Sequence, residues 1–188
     1  MNFNKNRERI RLDSSVLMLI DIQEKLFPFI ANKEDVLKNN QILLDGAKAL
    51  GLQTVVTEQY PEGLGPTVEG LQSKIQGLDL WQKRSFSVAI DNSGEVDALV
   101  KSGKDTFLLS GIESHICVYQ TAKDLLLRGL RVCLIYDACG SRKTENHLQI
   151  LSTLRELGAL ILPTESVLFE LMSDSKHPSF RTVSGLVK

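Results

Sequence analysis

The sequence predicts an α/β fold, a three-layer α/β/α sandwich around a doubly wound, mostly parallel sheet of six strands. Short apolar runs rich in β-branched residues alternate with longer segments whose apolar residues recur at helical spacing. The connections are short, so consecutive strands are expected to lie parallel with a helix crossing between them. No internal repeat or low-complexity linker divides the chain. We therefore expect one domain over residues 1–188.

The predicted strands are short and strongly apolar. VLMLID at 16–21 does not alternate between apolar and polar residues, which is typical of a strand buried on both faces. The other strands are predicted at 52–58, within LWQKRSFSV at 80–88, and at 105–111, 131–138 and 159–163.

The predicted helices follow these strands. In 35–51 the apolar residues recur at helical spacing, and Gly51 suits a C-terminal cap. Further helices are predicted at 93–101, 115–127, 144–157 and 166–172. The stretch QYPEGLGPTVEG at 59–70 is rich in turn residues and predicts a loop over one end of the sheet. The polar tail from Ser173 has no comparable pattern.

Composition argues against several classes of function. The chain is 43% hydrophobic with a formal net charge of −1 and no block of like charges, whereas nucleic-acid surfaces need clustered Lys and Arg. No apolar run approaches the roughly 18 residues of a membrane-spanning helix. The basic start NKNRERIR has no apolar stretch behind it and predicts neither a signal peptide nor an anchor. Three cysteines without a C-x-x-C pair predict a reduced, cytoplasmic protein.

Three reactive side chains stand at or near predicted strand ends, where doubly wound sheets bind ligands. Asp21 ends the first strand, with capping of the next turn as the alternative. Cys117 lies in the first turn of a predicted helix, where free N–H groups and the helix dipole favour a thiolate. The alternative for Cys117 is a small buried apolar residue. Lys83 is by itself weak evidence, because a lysine beside an arginine, here Arg84, is usually a solvated surface residue.

Together, these three groups have the properties needed for nucleophilic catalysis by a thiol. An ammonium lowers the pKa of a nearby thiol, and a carboxylate takes the thiol proton and returns it to a leaving group. Cys133, in the middle of a strand, is interpreted as inert packing, whereas the role of Cys139 stays open.

The segments LIDIQ, KRSFS and SGIESHICVYQTAKDLLLRGLRVCLIYDACGSR resemble the isochorismatase-like cysteine hydrolases, which include nicotinamidases and N-carbamoylsarcosine amidases. The similarity runs from about Val16 to about Leu168, and TEQYPEGLGPT resembles the isochorismatase-domain-containing branch. The resemblance implies Asp21 as base, Lys83 as its charged partner and Cys117 as nucleophile. It also implies a cis peptide at Ile112–Glu113, with the backbone N–H groups of Glu113 and Cys117 as an oxyanion hole.

The implied reaction is attack of Cys117 on an amide or related acyl carbon, giving a thioester that water hydrolyses. Nicotinamidases carry an Asp-x-His metal pair after the second strand, but TEQYPEG has no histidine here. His115, His147 and His177 lie far apart in the sequence. We therefore predict no metal and no cofactor, and nicotinamide is disfavoured as substrate. Isochorismatases proper lack the nucleophilic cysteine, so Cys117 also argues against their vinyl-ether chemistry.

Further residues are candidates for the substrate pocket. Gln23, Phe27, Tyr60, Ile112 and His115 are predicted to line it. Core packing is the stronger alternative for Phe27 and Tyr60, whereas for His115 an interface position and plain surface exposure are equally good alternatives. GLGPTVEG does not match G-x-G-x-x-G, so no dinucleotide site is predicted.

The sequence analysis leaves three functional hypotheses. The first is a metal-independent cysteine hydrolase of a small-molecule amide or carbamoyl compound. The second is a binding or assembly module that retains the fold without catalysis. The third, a ribonuclease, is disfavoured by the absence of a basic stripe. Relatives associate, so we expect a homo-oligomer, and neither nucleic acid nor membrane is expected as a partner. Asp137 and Arg142, near the end of the fifth strand, are predicted to take part in an ion pair that holds a loop.

Overall fold

Six parallel strands form the centre of the fold, and they confirm the predicted three-layer architecture. The structure, a computed structural model, describes residues 8–188, so the beginning of the basic N-terminal segment lies outside the described residues. The strands are β1 (Ser15–Ile20), β2 (Thr54–Gln59), β3 (Asp79–Lys83), β4 (Thr106–Ile112), β5 (Arg131–Gly140) and β6 (Leu160–Leu162). Their order is β3-β2-β1-β4-β5-β6, which reverses direction between β1 and β4.

Helices cover both faces of this sheet. They are α1 (Lys33–Leu50), α2 (Pro61–Leu64), α3 (Glu69–Ile75), α4 (Val88–Asp91), α5 (Ser93–Lys101), α6 (Tyr119–Leu127), α7 (Thr144–Glu156), α8 (Thr164–Met172) and α9 (Phe180–Leu186). A 3₁₀ turn (Phe27–Phe29) follows β1, and a π-helical turn (Ser114–Val118) connects β4 to α6. Within residues 8–188, no helix is both long enough and apolar enough to cross a bilayer.

The side chains of β1 explain why its sequence does not alternate. Leu17 and Leu19 point to an apolar cluster that includes residues of α1 and α8. Met18 and Ile20 point to the opposite cluster, which includes residues of α5, α6 and α7. Because successive side chains of a strand point to opposite faces, a strand covered on both sides must be apolar throughout. All six residues of β1 are buried.

The connection between β2 and β3 differs from the predicted loop. It contains the single-turn helix α2 and the two-turn helix α3, whose Leu71 is fully buried against the α1 side of the sheet. The C-terminal tail likewise forms α9, where Val183 is buried and Phe180 packs edge-on against Phe169 with ring centroids 6.4 Å apart. Helices this short contain too few turns for apolar periodicity to distinguish them from loops.

The two strands at the switch point approach each other closely. Gly111 on β4 pairs with Ile20 on β1 and has a φ of 119°, which side-chain-bearing residues rarely adopt. A Cβ at this position would lie 2.1 Å from the carbonyl oxygen of Ile20. Just beyond, the Ile112–Glu113 peptide bond is cis. The chain then enters the π-helical turn, so this edge of the sheet is where the predicted reactive residues must be examined.

Candidate active site

Asp21 and Lys83 form a fully buried ion pair at the carboxyl ends of β1 and β3. Lys83 Nζ lies 2.6 Å from Asp21 Oδ2, and both side chains have no exposed surface. Thr57 donates a hydrogen bond to the other carboxylate oxygen, Oδ1, at 2.7 Å. Lys83 Nζ also donates to the carbonyl of Ser85 at 3.2 Å. Lys83 is therefore not a solvated surface lysine, and the side-chain contacts of Asp21 are with Lys83 and Thr57 rather than with the turn that follows.

Two opposing effects act on the carboxyl group of Asp21. Burial raises its pKa above the ordinary value, because removal from water penalises the charged form. The Lys83 ammonium and the hydrogen bonds from Lys83, Thr57 and Cys117 lower it. The result is a carboxyl group with a raised pKa, a property suited to a general base that must hold a proton briefly.

Cys117 lies beside this pair, in the π-helical turn that precedes α6. Its thiol donates to Gln59 Oε1 at 3.3 Å and also interacts with the Asp21 carboxylate. The predicted residues Asp21, Lys83 and Cys117 are thus brought together, although they come from three separate parts of the chain. The residue Cys117 is 4% exposed.

Burial opposes the thiolate that the start of a helix was expected to favour at Cys117. Burial raises the pKa of the Cys117 thiol well above its ordinary value, and the negative charge of Asp21 raises it further. The Lys83 charge and a backbone hydrogen bond from Glu113 act in the opposite direction. Because Lys83 is already in contact with Asp21, its charge is largely offset at the sulfur. Together these effects favour the neutral thiol over the thiolate at Cys117.

Gln59, which the sequence analysis did not single out, is the acceptor for this thiol. Gln59 ends β2, so extending the search for strand-end residues to the second strand would have found it. Gln23 holds it in place: Gln23 Oε1 accepts from the Gln59 N–H at 2.8 Å. Gln23 Nε2 donates to the carbonyls of Gln59 and Gly65, at 3.0 and 2.6 Å. Gln23 is fully buried and braces the strand end instead of forming the predicted pocket wall.

A cavity of about 220 Å³ opens beside the ion pair. Its lining residues are Tyr60, Pro61, Glu62, Gln82, Lys83, Arg84 and Asp91. The Arg84 guanidinium lies 4.6 Å from the centre of the Tyr60 ring, an arrangement that favours a cation–π contact. Lys83 thus belongs both to this cavity and to the buried pair. Cys117 is not among the residues that line this cavity.

Two other predicted pocket residues lie in the apolar core. Phe27 packs against the cluster on the α1 side of the sheet, and Ile112 is fully buried within that cluster. Neither residue lines the cavity described above. The core-packing alternative therefore describes Phe27, and the same explanation applies to Ile112. His115 is half-buried, and its Nδ1 lies 3.0 Å from Ser141 Oγ, away from the thiol.

The remaining cysteines and charged residues have structural partners. Cys133 and Cys139 are fully buried, and burial raises the pKa of Cys133 to about 12. Arg142 does form an ion pair that holds a loop, and its partner is Glu113. Asp137 instead accepts hydrogen bonds from the backbone N–H and hydroxyl of Thr164, at the start of α8.

Metal-binding side chains do not cluster in the described part of the chain. Over residues 8–188, no group of three or more His, Cys, Asp and Glu residues is arranged to hold a metal ion. His147 Nδ1 lies 2.9 Å from Ser114 Oγ, and His177 Nδ1 accepts from the Ser179 N–H at 3.1 Å. Each histidine thus has a local hydrogen-bond partner.

The chain resembles known proteins over nearly its whole length. Residues 15–166 match the isochorismatase domain. Isochorismatase domain-containing protein 2 from Bos taurus is 41% identical over 180 residues, covering 96% of this chain and 86% of that protein. The protein of the same name from Danio rerio is 40% identical, covering 95% and 89%.

Solved structures share the same fold. The MAR1 ribonuclease from Caenorhabditis elegans has a TM-score of 0.89 at 34% identity, with 96% of this chain and 92% of that chain covered. YcaC from Pseudomonas aeruginosa has a TM-score of 0.87 at 22% identity, covering 95% and 91%. With the matched domain and these relatives, the chain belongs to the isochorismatase family.

Proposed function

We propose that this protein is a metal-independent cysteine hydrolase that cleaves a small amide or carbamoyl compound through a thioester on Cys117. The observation that carries the proposal is the Cys117 thiol beside the buried Asp21–Lys83 pair. The site lies at the switch point of a doubly wound sheet, where ligands of such folds bind. Membership of the isochorismatase family supports the hydrolase class.

The first step forms the thioester. Cys117 Sγ attacks the substrate carbonyl carbon while its proton passes to Asp21, so that a free thiolate need not accumulate. Lys83 keeps Asp21 ionised before the transfer, and burial makes that carboxylate a stronger base than in water. The backbone N–H groups of Glu113 and Cys117 are the proposed donors to the developing oxyanion. The protonated Asp21 then gives its proton to the leaving nitrogen as the C–N bond breaks.

The second step releases the acid. A water molecule attacks the thioester carbon while Asp21 accepts one of its protons. As the C–S bond breaks, Asp21 passes that proton to the sulfur, which restores the Cys117 thiol and the Asp21 carboxylate. In sum, one amide and one water give one carboxylic acid and one amine or ammonia. The proposal includes no metal and no cofactor. A reducing, cytoplasmic setting suits the three free cysteines, and assembly into a homo-oligomer is part of the proposal.

A screen of small amides and carbamoyl compounds tests this function. The measurement is release of ammonia or amine by the wild type, by Cys117→Ala and by Cys133→Ala, which removes a fully buried cysteine far from the ion pair. We expect one or more compounds to be hydrolysed by the wild type and Cys133→Ala, and by Cys117→Ala at less than about a thousandth of that rate. Full activity of a folded Cys117→Ala protein would reject the thioester route and favour the binding-module alternative.

A further inference from the structure

Glu113 carries a buried carboxylate that Arg142 holds with an unusually complete set of donors. Arg142 Nε lies 3.1 Å from both carboxylate oxygens, Nη2 lies 2.5 Å from Oε1, and the Arg142 backbone N–H donates to Oε2 at 2.9 Å. The Glu113 side chain is 5% exposed, whereas that of Arg142 is 57% exposed. Arg142 therefore reaches inward from the surface to fix one buried residue. A planar guanidinium suits this two-oxygen geometry.

The backbone of Glu113 in turn holds the nucleophile turn. Its carbonyl oxygen accepts hydrogen bonds from the N–H groups of Ile116, at 3.0 Å, and Val118, at 3.3 Å, on either side of Cys117. Its own N–H hydrogen-bonds to the Cys117 sulfur and lowers the pKa of that thiol. One peptide segment is thus tied to both neighbours of the sulfur and to the sulfur itself.

The two following residues are tied to the connection between β5 and α7 and to the first turn of α7. Ser114 Oγ lies 2.9 Å from His147 Nδ1, and both residues are buried. His115 Nδ1 lies 3.0 Å from Ser141 Oγ. We name Glu113, Ser114 and His115, together with Ser141, Arg142 and His147, the turn clamp. Arg142 is the member that contributes a full charge to a buried partner.

We propose that Arg142 is a positioning residue for Cys117, acting through Glu113 to hold the backbone that surrounds the sulfur. The role in a reaction rests on the proposed function, but the effect on the thiol does not. Without Arg142, the Glu113 carboxylate would be buried without its counter-ion, and the Glu113 peptide that contacts the sulfur would lose its anchor. Both changes should raise the pKa of the Cys117 thiol, because they make a negative charge on its sulfur less favourable.

Alkylation of the three cysteines tests the proposal directly. Rate constants with iodoacetamide are measured for Cys117, Cys133 and Cys139 separately, by peptide mass spectrometry, from about pH 6.5 to about pH 9.5. The variants are Arg142→Met, Arg142→Lys and the control Arg128→Met. The control removes a solvent-accessible ion pair with Asp97, remote in sequence from the clamp.

Positioning predicts a selective effect. Arg142→Met should slow alkylation of Cys117 about tenfold across the pH range, the result of raising the thiol pKa by about one unit. Arg142→Lys, which keeps the charge but loses the two-oxygen geometry, should recover part of that rate. Cys133 and Cys139 should react as in the wild type, and Arg128→Met should leave all three rates unchanged.

Two results would overturn the inference. An unchanged rate at Cys117 in Arg142→Met would show that the clamp does not affect the sulfur. Faster alkylation at all three cysteines would show that Arg142 merely stabilises the fold. Alkylation needs no turnover, so a failure of the amide screen would reject the proposed function without affecting this result. If the screen identifies a substrate, Arg142→Met should lower kcat more than it changes KM.

Discussion

The buried pair of Asp21 and Lys83 is the most unusual feature at the scale of single residues. Both side chains are withdrawn from water completely, which costs several kcal/mol per ion before their attraction and hydrogen bonds are counted. Apolar residues of similar volume often stabilise a fold as well as such a pair does. Stability alone therefore does not explain the pair, which agrees with the catalytic role proposed for it above.

Removal of Lys83 from the buried ion pair should lower the stability of the fold. Lys83→Met leaves the Asp21 carboxylate buried without a counter-ion, and we expect the free energy of unfolding to fall by about 3 kcal/mol at neutral pH. The loss should shrink as pH falls, because protonation of Asp21 removes the unpaired charge. Urea denaturation measures it, with Lys74→Met as the matched control. Lys74 pairs with Asp45 where both side chains are partly exposed, so its loss should cost less than about 1 kcal/mol. Equal costs for both variants would contradict the argument.

His147 gives the fold a pH dependence of its own. Burial lowers its pKa below the ordinary value of 6.5, so the folded state binds fewer protons than the unfolded state as pH falls below that value. Its contribution is complete above the unfolded pKa and is lost on acidification. His147→Gln should therefore flatten the decline in unfolding free energy between about pH 8 and about pH 5. Urea midpoints across that range check it, and parallel profiles for the two proteins would count against this role.

At the scale of elements, the approach of β1 and β4 at Gly111 determines where the site lies. The two strands are adjacent at the switch point, and the π-helical turn bearing Cys117 starts three residues beyond Gly111. A side chain at Gly111 would collide with the backbone of Ile20, the residue before Asp21. Backbone cannot move aside as a flexible side chain can. Gly111 therefore allows β4 to lie close enough to β1 for the Asp21 carboxylate to interact with the Cys117 thiol.

A pair of alanine substitutions tests this approach. Gly111→Ala should lower the unfolding free energy by about 3 kcal/mol, because both the clash and the positive φ oppose it. Gly94→Ala, in α5, meets no heavy atom within 4 Å and should raise the unfolding free energy by about 0.5 kcal/mol through helix propensity. Thermal or urea denaturation distinguishes them. A Gly111→Ala protein as stable as Gly94→Ala would show that the strands can separate without cost.

The charge of the whole molecule limits its partners. The chain has 22 Lys and Arg residues against 23 Asp and Glu residues, and its formal net charge is −1. One structural relative, from Caenorhabditis elegans, is named a ribonuclease. Phosphate binding depends on clustered cations and weakens steeply with salt. A chain of this composition is a poor match to that requirement.

We expect no specific affinity for RNA. Fluorescence anisotropy with single-stranded and hairpin RNA at about 50 mM and about 200 mM salt should give dissociation constants no tighter than about 10 μM, without a steep salt slope. A basic RNA-binding domain measured alongside provides the positive control. Tight binding that weakens sharply with salt, accompanied by cleavage, would revive the ribonuclease hypothesis.

The fold was predicted from local patterns of apolar residues along the sequence. The strands β1, β4 and β5 are long apolar runs, and α5 begins and ends at the residues that apolar spacing predicts. The short helices α2, α3 and α9 were missed because each has at most seven residues, too few for a periodic signal. Asp21 was found because a carboxylate at the end of a buried strand stands out, and Cys117 because it lies in the first turn of a predicted helix. Lys83 became a candidate only in combination with these two residues and through the family resemblance.

By itself, the sequence determined the layered architecture and the order of its strands and longer helices, since these depend on residues that are neighbours along the chain. It also supplied Asp21, Lys83 and Cys117 as candidates for the reactive side chains. Only the tertiary structure decided that burial raises the pKa of the Cys117 thiol, that Gln59 accepts a hydrogen bond from this thiol and that Arg142 holds Glu113. These properties depend on distances between distant parts of the chain and on the removal of each group from water. Burial opposes charge on the thiol sulfur, and burial is a property of the packed molecule.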